Sequence, residues 1–368
     1  MKASLLSEAD SAVHRSCKTT HALRVVIPGG SGLLGRILAR HFRSQGHEVV
    51  VLARSGMIAP GRVVSWDGVS IDDWAAELEG ADVVINLAGR SVNCRYTARN
   101  RREILQSRVT TTRLVGEAIR GLLHPPRLWI NASTATIYRH ALDHAMDEAA
   151  GEIGGGEPNA PSSWRFSIDV ATRWEESFFS FRIPGVRQIA MRSAMVMSPE
   201  HGGALDMLLS LVRFGLGGKA GSGAQFVSWI HDLDFVRAIE HLIVHEELHG
   251  PVNVAAPHPL PNTEFMRVLR HTWGASIGLS APDWLLEAGA ILLRTETELI
   301  LKSRRVVPGR LLESGFTFVF PEWWAAARDL VERWRDPFRK PERGQEPSFK
   351  NITWRGPLES RHRGSEIK

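Results

Sequence analysis

Lysine is scarce in this chain: seven occur in 368 residues against 38 arginines, and none lies between Lys18 and Lys219. There are two tyrosines and two cysteines. Cys17 and Cys94 cannot build a disulfide framework or a four-ligand zinc site, and no metal is expected. A reducing, cytoplasmic setting is the simplest expectation. No run approaches 18 apolar residues, and the greasiest helical stretch, Trp284 to Leu293, carries Glu287. That excludes a membrane-spanning helix. Residues 1–22 mix charged and small polar residues without an apolar stretch, so a secretory signal is not expected there. The formal charge of +5 comes from scattered arginines, a pattern that solvates a surface rather than tracking a phosphate backbone, and no nucleic-acid partner is expected.

What is present is a regular alternation. Leu23 to Ile27 is a short β-branched run that stops at Pro28 and a glycine cluster. Leu33, Leu34, Ile37, Leu38 and Phe42 follow at helical spacing, and Val49 to Leu52 makes a second strand. The pattern continues through strand Arg62 to Trp66, helix Ile71 to Leu78, strand Asp82 to Leu87, a long helix within Thr97 to Leu123, and strand Leu128 to Ala132. A Gly/Pro-rich loop (151–161), a helix near Trp164 to Phe181 and a strand from Val186 to Met197 come next. Strands this apolar are buried on both faces, which predicts a Rossmann-type α/β fold, a doubly wound parallel sheet. After Pro199 helices dominate, and a smaller, mostly helical substrate lobe is predicted. The expected divisions are a flexible extension over 1–22, a cofactor domain over 23–198 whose sheet can recruit later segments, a substrate lobe over 199–336, and a disordered tail over 337–368.

The turn Gly29-Gly30-Ser31-Gly32-Leu33-Leu34-Gly35 follows a predicted strand and opens a predicted helix. Glycines there allow a tight turn, close approach of backbone to a pyrophosphate and close packing of helix on strand. Where NAD-binding folds carry an acid at the end of the second strand, this chain has Arg54. A guanidinium pairs with a 2′-phosphate that a carboxylate would repel, so NADP(H) is the expected cofactor. The fourth strand ends in Leu87-Ala88-Gly89, small enough for a loop to close over the adenine-ribose side.

Taken in order, these features resemble the short-chain dehydrogenase/reductase superfamily in its extended, epimerase-like form. Segments such as VINLAG, REILQSRVTTTRLVGEAI, GGALDMLLSLVRFGLGG, GSGAQFVSWIH, GPVNVAAP, NTEFMRVL and RVVPGRLLESGF narrow the resemblance. They resemble the atypical subgroup of NAD(P)-dependent epimerase-like proteins with a characteristic C-terminal domain, across about residues 23–334. The resemblance implies an NADP site built from the glycine turn, Arg54, Leu87 and Ala88, joined by Glu103 and Arg108, with Val196 on the nicotinamide side.

Standard members use a Tyr, a Lys four residues later, and a Ser or Thr. Here Tyr96 is followed at that spacing by Asn100 and Tyr138 by Leu142, and the helix expected to carry the pair reads WRFSIDVATRWE. The dyad is absent, as in the atypical subgroup. Ser133 or Thr134, at the end of the fifth strand, fills the hydroxyl position. Tyr138 and His231 are candidate replacements for the missing acid, as are Asp169 and Arg173, one helical turn apart. Two functions remain open: an NADP(H)-dependent oxidoreductase or epimerase acting on a small polar molecule, or an NADP(H)-binding regulatory or scaffold protein with little turnover. The cell-division-inhibitor label of some relatives suggests the second.

Overall fold

The alternation of apolar runs and amphipathic segments becomes an ordered series of strands and helices in the computed structural model of the chain, which describes residues 22–54, 57–158, 160–281, 296 and 298–339. The predicted extension before Ala22, the helix Trp284 to Leu293 and the tail beyond residue 339 lie outside these residues. All elements below belong to one compact unit, Leu23–Gly344.

β1 (Arg24–Pro28) leads through the glycine turn into α1 (Leu33–Ser44), which buries Ile37, Leu38 and Phe42 on one face. β2 (Glu48–Ala53) and β3 (Arg62–Ser65) follow. The helix expected over Ile71 to Leu78 is instead a 3₁₀ helix, Asp73–Leu78. The Asp67 carboxylate accepts the N–H groups of Val69 and Ser70 at 2.7 and 3.0 Å, a local turn that competes with helical bonding just upstream. β4 (Val83–Asn86) is buried throughout. α2 (Ala98–Arg120) starts at Thr97, whose Oγ1 accepts the Asn100 N–H at 3.2 Å. Loss of such an N-cap costs about 1 kcal/mol. Thr97→Ala is accordingly expected to lower the melting temperature by about 2 °C, and an unchanged melt would show that solvent caps this terminus equally well.

β5 (Leu128–Thr134), α3 (Ser162–Phe179) and β6 (Arg187–Ser193) continue the series, and β7 (Met195–Met197) is separate from β6. Then come α4 (Ala204–Arg213), β8 (Phe226–Val227), β9 (Trp229–His231), α5 (Asp232–Val244), β10 (Gly250–Val254), β11 (Leu260–Pro261) and α6 (Asn262–Trp273). Among the described residues three further helices follow: α7 (Glu298–Leu301), α8 (Gly309–Glu313) and α9 (Trp323–Arg335).

Seven strands form one Rossmann-type sheet in the order β10-β6-β5-β4-β1-β2-β3, every pairing parallel. The order reverses direction between β1 and β4, which places a crevice at the carboxyl ends of these two strands. Against the sheet, Trp129 meets Phe178 edge-on at 4.6 Å inside a core that also holds Trp74 and Leu78. A second core gathers Leu205, Leu209, Trp229, Phe265 and Trp323. There Phe265 stacks on Trp323 at 4.1 Å. Among the described residues, no helix is long and apolar enough to cross a membrane.

Candidate active site

The crevice begins at the glycine turn, where three chain segments pack without room for side chains. Gly29 has φ of 76°, and a Cβ on it would lie 2.6 Å from the Ala88 Cα. A Cβ on Gly35 would lie 2.3 Å from the Gly30 Cα. The Gly29 N–H donates to Leu52 O at 2.8 Å, and the Leu87 N–H donates to Pro28 O at 2.9 Å, fixing the turn between the ends of β2 and β4. No side chain caps α1, and its first turn contains no acid. Its leading N–H groups and the positive end of its dipole therefore suit an anion.

The loop opposite the turn is held by a buried amide network. Asn86 Nδ2 donates to Asn131 Oδ1 at 2.8 Å, and the Ala88 N–H donates back to Asn86 Oδ1 at 3.1 Å. Thr112 donates to the same Asn131 oxygen, and the Trp174 indole N–H donates to Thr112 at 2.9 Å. Sequence reasoning singled out neither asparagine. An asparagine in a buried, otherwise apolar strand was the available signal, since such a group needs partners.

A cavity of about 490 Å³ runs from this turn into the body of the protein. Of the residues predicted for the cofactor, Gly29, Gly32, Leu33, Leu34 and Gly35 line one end. Leu87, Gly89 and Arg108 line its flank. Gly30, Ser31 and Ala88 build the turn and loop without lining the cavity, Arg36 holding the Ser31 carbonyl at 2.9 Å. Arg108 is pinned by the Arg90 and Ile104 carbonyls at 3.0 and 3.1 Å and lies over the Trp174 ring. Burial pulls its guanidinium down to about 10. Glu103 does not line the cavity; it ion-pairs with Arg90, which does, and with Arg99. Arg54 is exposed just past β2, two residues beyond the Leu52 carbonyl that anchors the turn. Val196 is buried in β7, and the residues of that stretch that reach the cavity are Ser193 and Ala194.

Ser133 and Thr134 line the far end. The Ser133 hydroxyl donates to Glu175 Oε1 at 2.5 Å. Glu175 in turn holds Arg192 through two bonds, from Nε at 2.8 Å and Nη2 at 2.7 Å. Tyr138 and His231, expected as alternative donors, do not line this cavity. The Tyr138 hydroxyl accepts from Arg192 at 2.9 Å and donates to Asn253 Oδ1 at 3.0 Å, while burial pushes the phenol up. His231 is wholly buried. Its Nδ1 accepts the Leu233 N–H at the start of α5, its Nε2 donates to Asp329 at 2.9 Å, and its ring stacks on Phe320. Asp169 and Arg173 pair with each other on an exposed face of α3.

The polar groups that do face the cavity come from elsewhere. Tyr96, Thr136, Ser167, Glu298 and Arg304 all line it. Ser167 donates to Glu298 Oε2 and lies 3.5 Å from the Tyr96 hydroxyl. Arg304 Nε donates to Thr136 Oγ1 at 2.9 Å, and its Nη2 lies 3.6 Å from Glu298 Oε1. Burial and the nearby Glu298 carboxyl push Tyr96 up to about 12. Burial raises Glu298. Burial and Arg304 bring Lys302 down to about 7, and its Nζ donates to the Thr136 carbonyl at 2.7 Å. Glu298 and Arg304 contact partners 131 and 168 positions away, so no local motif marked them.

Comparison with known proteins agrees with this geometry. The profile of the NAD dependent epimerase/dehydratase family matches residues 25–255. A domain of unknown function, DUF1731, matches residues 281–330. The human epimerase family protein SDR39U1 is 31% identical over 314 residues, covering 84% of this chain and all of that protein. The Bacillus subtilis epimerase family protein YfhF is 29% identical, covering 84% of this chain and 98% of that one. Among solved structures, human SDR39U1 isoform 2 with NADPH superposes with a TM-score of 0.73, at 31% identity and with 84% and 99% of the two chains covered. A nucleoside-diphosphate sugar epimerase from Corynebacterium glutamicum gives a TM-score of 0.64 at 28% identity, covering 83% of this chain and 57% of that one. The chain belongs to the NAD dependent epimerase/dehydratase family, of the SDR39U1 type, an atypical extended short-chain dehydrogenase/reductase.

Proposed function

We propose that the protein is an NADP(H)-dependent oxidoreductase that reduces or oxidises a small polar substrate inside the cavity. One observation carries this reading: a single cavity joins the uncapped N-terminus of α1 to a cluster of hydroxyl, carboxyl and guanidinium groups at the far end of β5. The residues present fit the cofactor. At Gly29 and Gly35 a side chain would strike the backbone of Ala88 and Gly30, so glycine keeps the turn tight at the N-terminus of α1, where a pyrophosphate would sit, and Arg54 follows the strand whose end receives the ribose. The crystal structure of human SDR39U1, 31% identical to this chain, is a structure with NADPH, and it supports the same choice.

When bound, the dinucleotide supplies or takes up a hydride. The protein's own groups do the rest. The first turn of α1 binds the pyrophosphate, Arg54 pairs with the 2′-phosphate, and Thr134 faces the nicotinamide end. In this division of labour residues 23–198 hold the cofactor, and residues 199–336 add Glu298 and Arg304 to the substrate end.

A charge-assisted hydrogen bond of the Arg54 kind is worth roughly 1.5–3 kcal/mol, a preference of about tenfold or more. Fluorescence titration is expected to show NADPH binding at least about tenfold tighter than NADH, with the preference lost in Arg54→Asp. Equal dissociation constants in the native protein would remove Arg54 from the site. A second reading, an NADP(H)-binding regulator with little turnover, draws on the commitment of Ser133 to Glu175 and of Tyr138 to Asn253. NADPH consumption across a panel of sugars and small ketones separates the two.

A further inference from the structure

We propose that Ser167 is the proton donor of the cavity and that Glu298, acting through it, supplies its proton, so that the segment from Glu298 to Arg304 completes the site. This rests on the oxidoreductase reading above.

The hydroxyls around the cavity differ in what stands behind them: Ser193 donates to the Ala194 carbonyl, Ser91 and Thr134 accept backbone N–H groups, and Thr136 accepts from Arg304. Ser133 donates to a carboxylate that already holds a guanidinium, and Tyr138 donates to Asn253 outside the cavity. Among the described residues the Tyr96 hydroxyl bonds no carboxyl that could resupply its proton, and its neighbour is the Ser167 Oγ at 3.5 Å. Ser167 is partly exposed to the cavity, and its Oγ touches the wholly buried Glu298 directly behind it. It projects from α3.

Glu298 is arranged as a carboxyl that holds a proton. Its Oε2 meets Ser167, while its Oε1 is buried without a hydrogen bond. Arg304 Nη2 lies 3.6 Å from Oε1, while its Nε donates to Thr136. Among the described residues, the other charged or titratable groups around it are Lys302 and Glu296 on its own segment and Tyr96 ahead of α2. A buried carboxylate with one oxygen unbonded is costly, and protonation relieves that cost. Burial correspondingly raises the Glu298 carboxyl.

The hydrogen bond has two directions, and they define the chemistry. With Glu298 ionised, Ser167 donates to it and offers the cavity only lone pairs. With Glu298 protonated, its O–H donates to Ser167 Oγ, and the Ser167 hydrogen is released toward the cavity. During reduction, a substrate carbonyl carbon receives the hydride from the reduced nicotinamide. Its oxygen takes the Ser167 proton as that O–H bond breaks, and the Glu298 O–H bond breaks to restore the Ser167 hydroxyl. The substrate becomes an alcohol, the dinucleotide is oxidised, and the carboxylate left beside Arg304 regains a proton from solvent.

Infrared difference spectroscopy of the full chain, read across neutral pH with and without saturating NADPH, tests this pair without needing a substrate. A protonated-carboxyl band is expected at neutral pH in the native protein, missing in Glu298→Gln, displaced in Ser167→Ala and restored in Ser167→Thr. Should Glu298→Gln fail to fold, Glu298→Asp must shift the same band. Absence of a protonated carboxyl attributable to Glu298, or a band indifferent to Ser167→Ala, overturns the proposal. Failure of the native protein to bind NADPH by fluorescence instead overturns the reading on which it rests.

Discussion

Replacing Arg192 by leucine is expected to destabilise the protein by about 3–5 kcal/mol, because it strands a buried carboxylate. Arg192 and Glu175 are 7% and 8% exposed, and Nε and Nη2 of the guanidinium each meet one of the two carboxylate oxygens, a two-point contact suited to the arginine fork. The same guanidinium donates to the Tyr138 oxygen and lies over its ring at 5.1 Å. Without it, Glu175 keeps, among the described residues, only the Ser133 hydroxyl, and Tyr138 loses a donor. A melting temperature lower by about 10 °C follows from about 2–4 °C per kcal/mol for a domain of this class. The double variant Glu175→Met with Arg192→Leu removes both charges and is expected to recover most of the loss, since apolar replacements of similar volume are often neutral. Denaturant melts of the single and double variants decide the matter. A single-variant loss under about 1 kcal/mol would mean that water reaches the pair from the open groove that it lines together with Ile153, Thr172 and Phe179.

The parts of the fold that sequence made legible are those with local physics. β1, β2 and β4 read as parallel strands because Val25, Val50, Val84 and their neighbours are apolar on both faces, and each is fully buried. α1, α2 and α3 read as helices from their spacing. The stretch Val186 to Met197 read as one strand, yet it breaks at Ala194, whose N–H donates to Val254 O. Past that residue the chain leaves the sheet, and Met195–Met197 pairs with β9 instead. Period-two alternation carries no information about which partner a strand will take, so the break was invisible.

The site divides along the same line. The glycine turn was legible because its three demands, a tight turn, a close approach and a helix start, fall on seven consecutive residues. Tyr138 and His231 were drawn toward the site by chemistry alone, since a phenol and an imidazole look alike in sequence whichever way they face. Partners 115 and 98 positions away claim them in the fold. Glu298 shows the converse. Nothing near it in sequence marks a cavity-lining acid, and its meaning comes from Ser167, which the fold alone brings beside it. Long-range pairing of polar groups, rather than pattern within an element, decided which candidates entered the cavity.

Gly35→Val is expected to abolish measurable NADPH binding, with a loss of affinity of about 100-fold or more. The atoms that a Cβ at this position would strike are the Gly30 Cα at 2.3 Å and the Gly30 carbonyl oxygen at 2.5 Å. Both belong to backbone, so no rotamer change relieves the contact, and the turn must separate from α1. That separation displaces the leading N–H groups of the helix from the place where a pyrophosphate would sit. Hydrogen bonds to a charged group are worth roughly 1.5–3 kcal/mol each, and losing two of them amounts to about 3–6 kcal/mol, or at least about two decades in dissociation constant. Gly156→Ala is the matched control. This glycine is exposed and lies away from the cavity, and a Cβ on it would meet nothing within 4 Å. Affinity in that variant is expected to stay within about tenfold of the native value, since one methyl group adds no clash and removes no N–H. Fluorescence titration with NADPH, alongside a thermal melt to show that both variants are folded at the assay temperature, reads the difference. If Gly35→Val stays folded and binds NADPH as tightly as Gly156→Ala, the phosphates do not sit on the α1 turn, and the cofactor reading fails at its first residue.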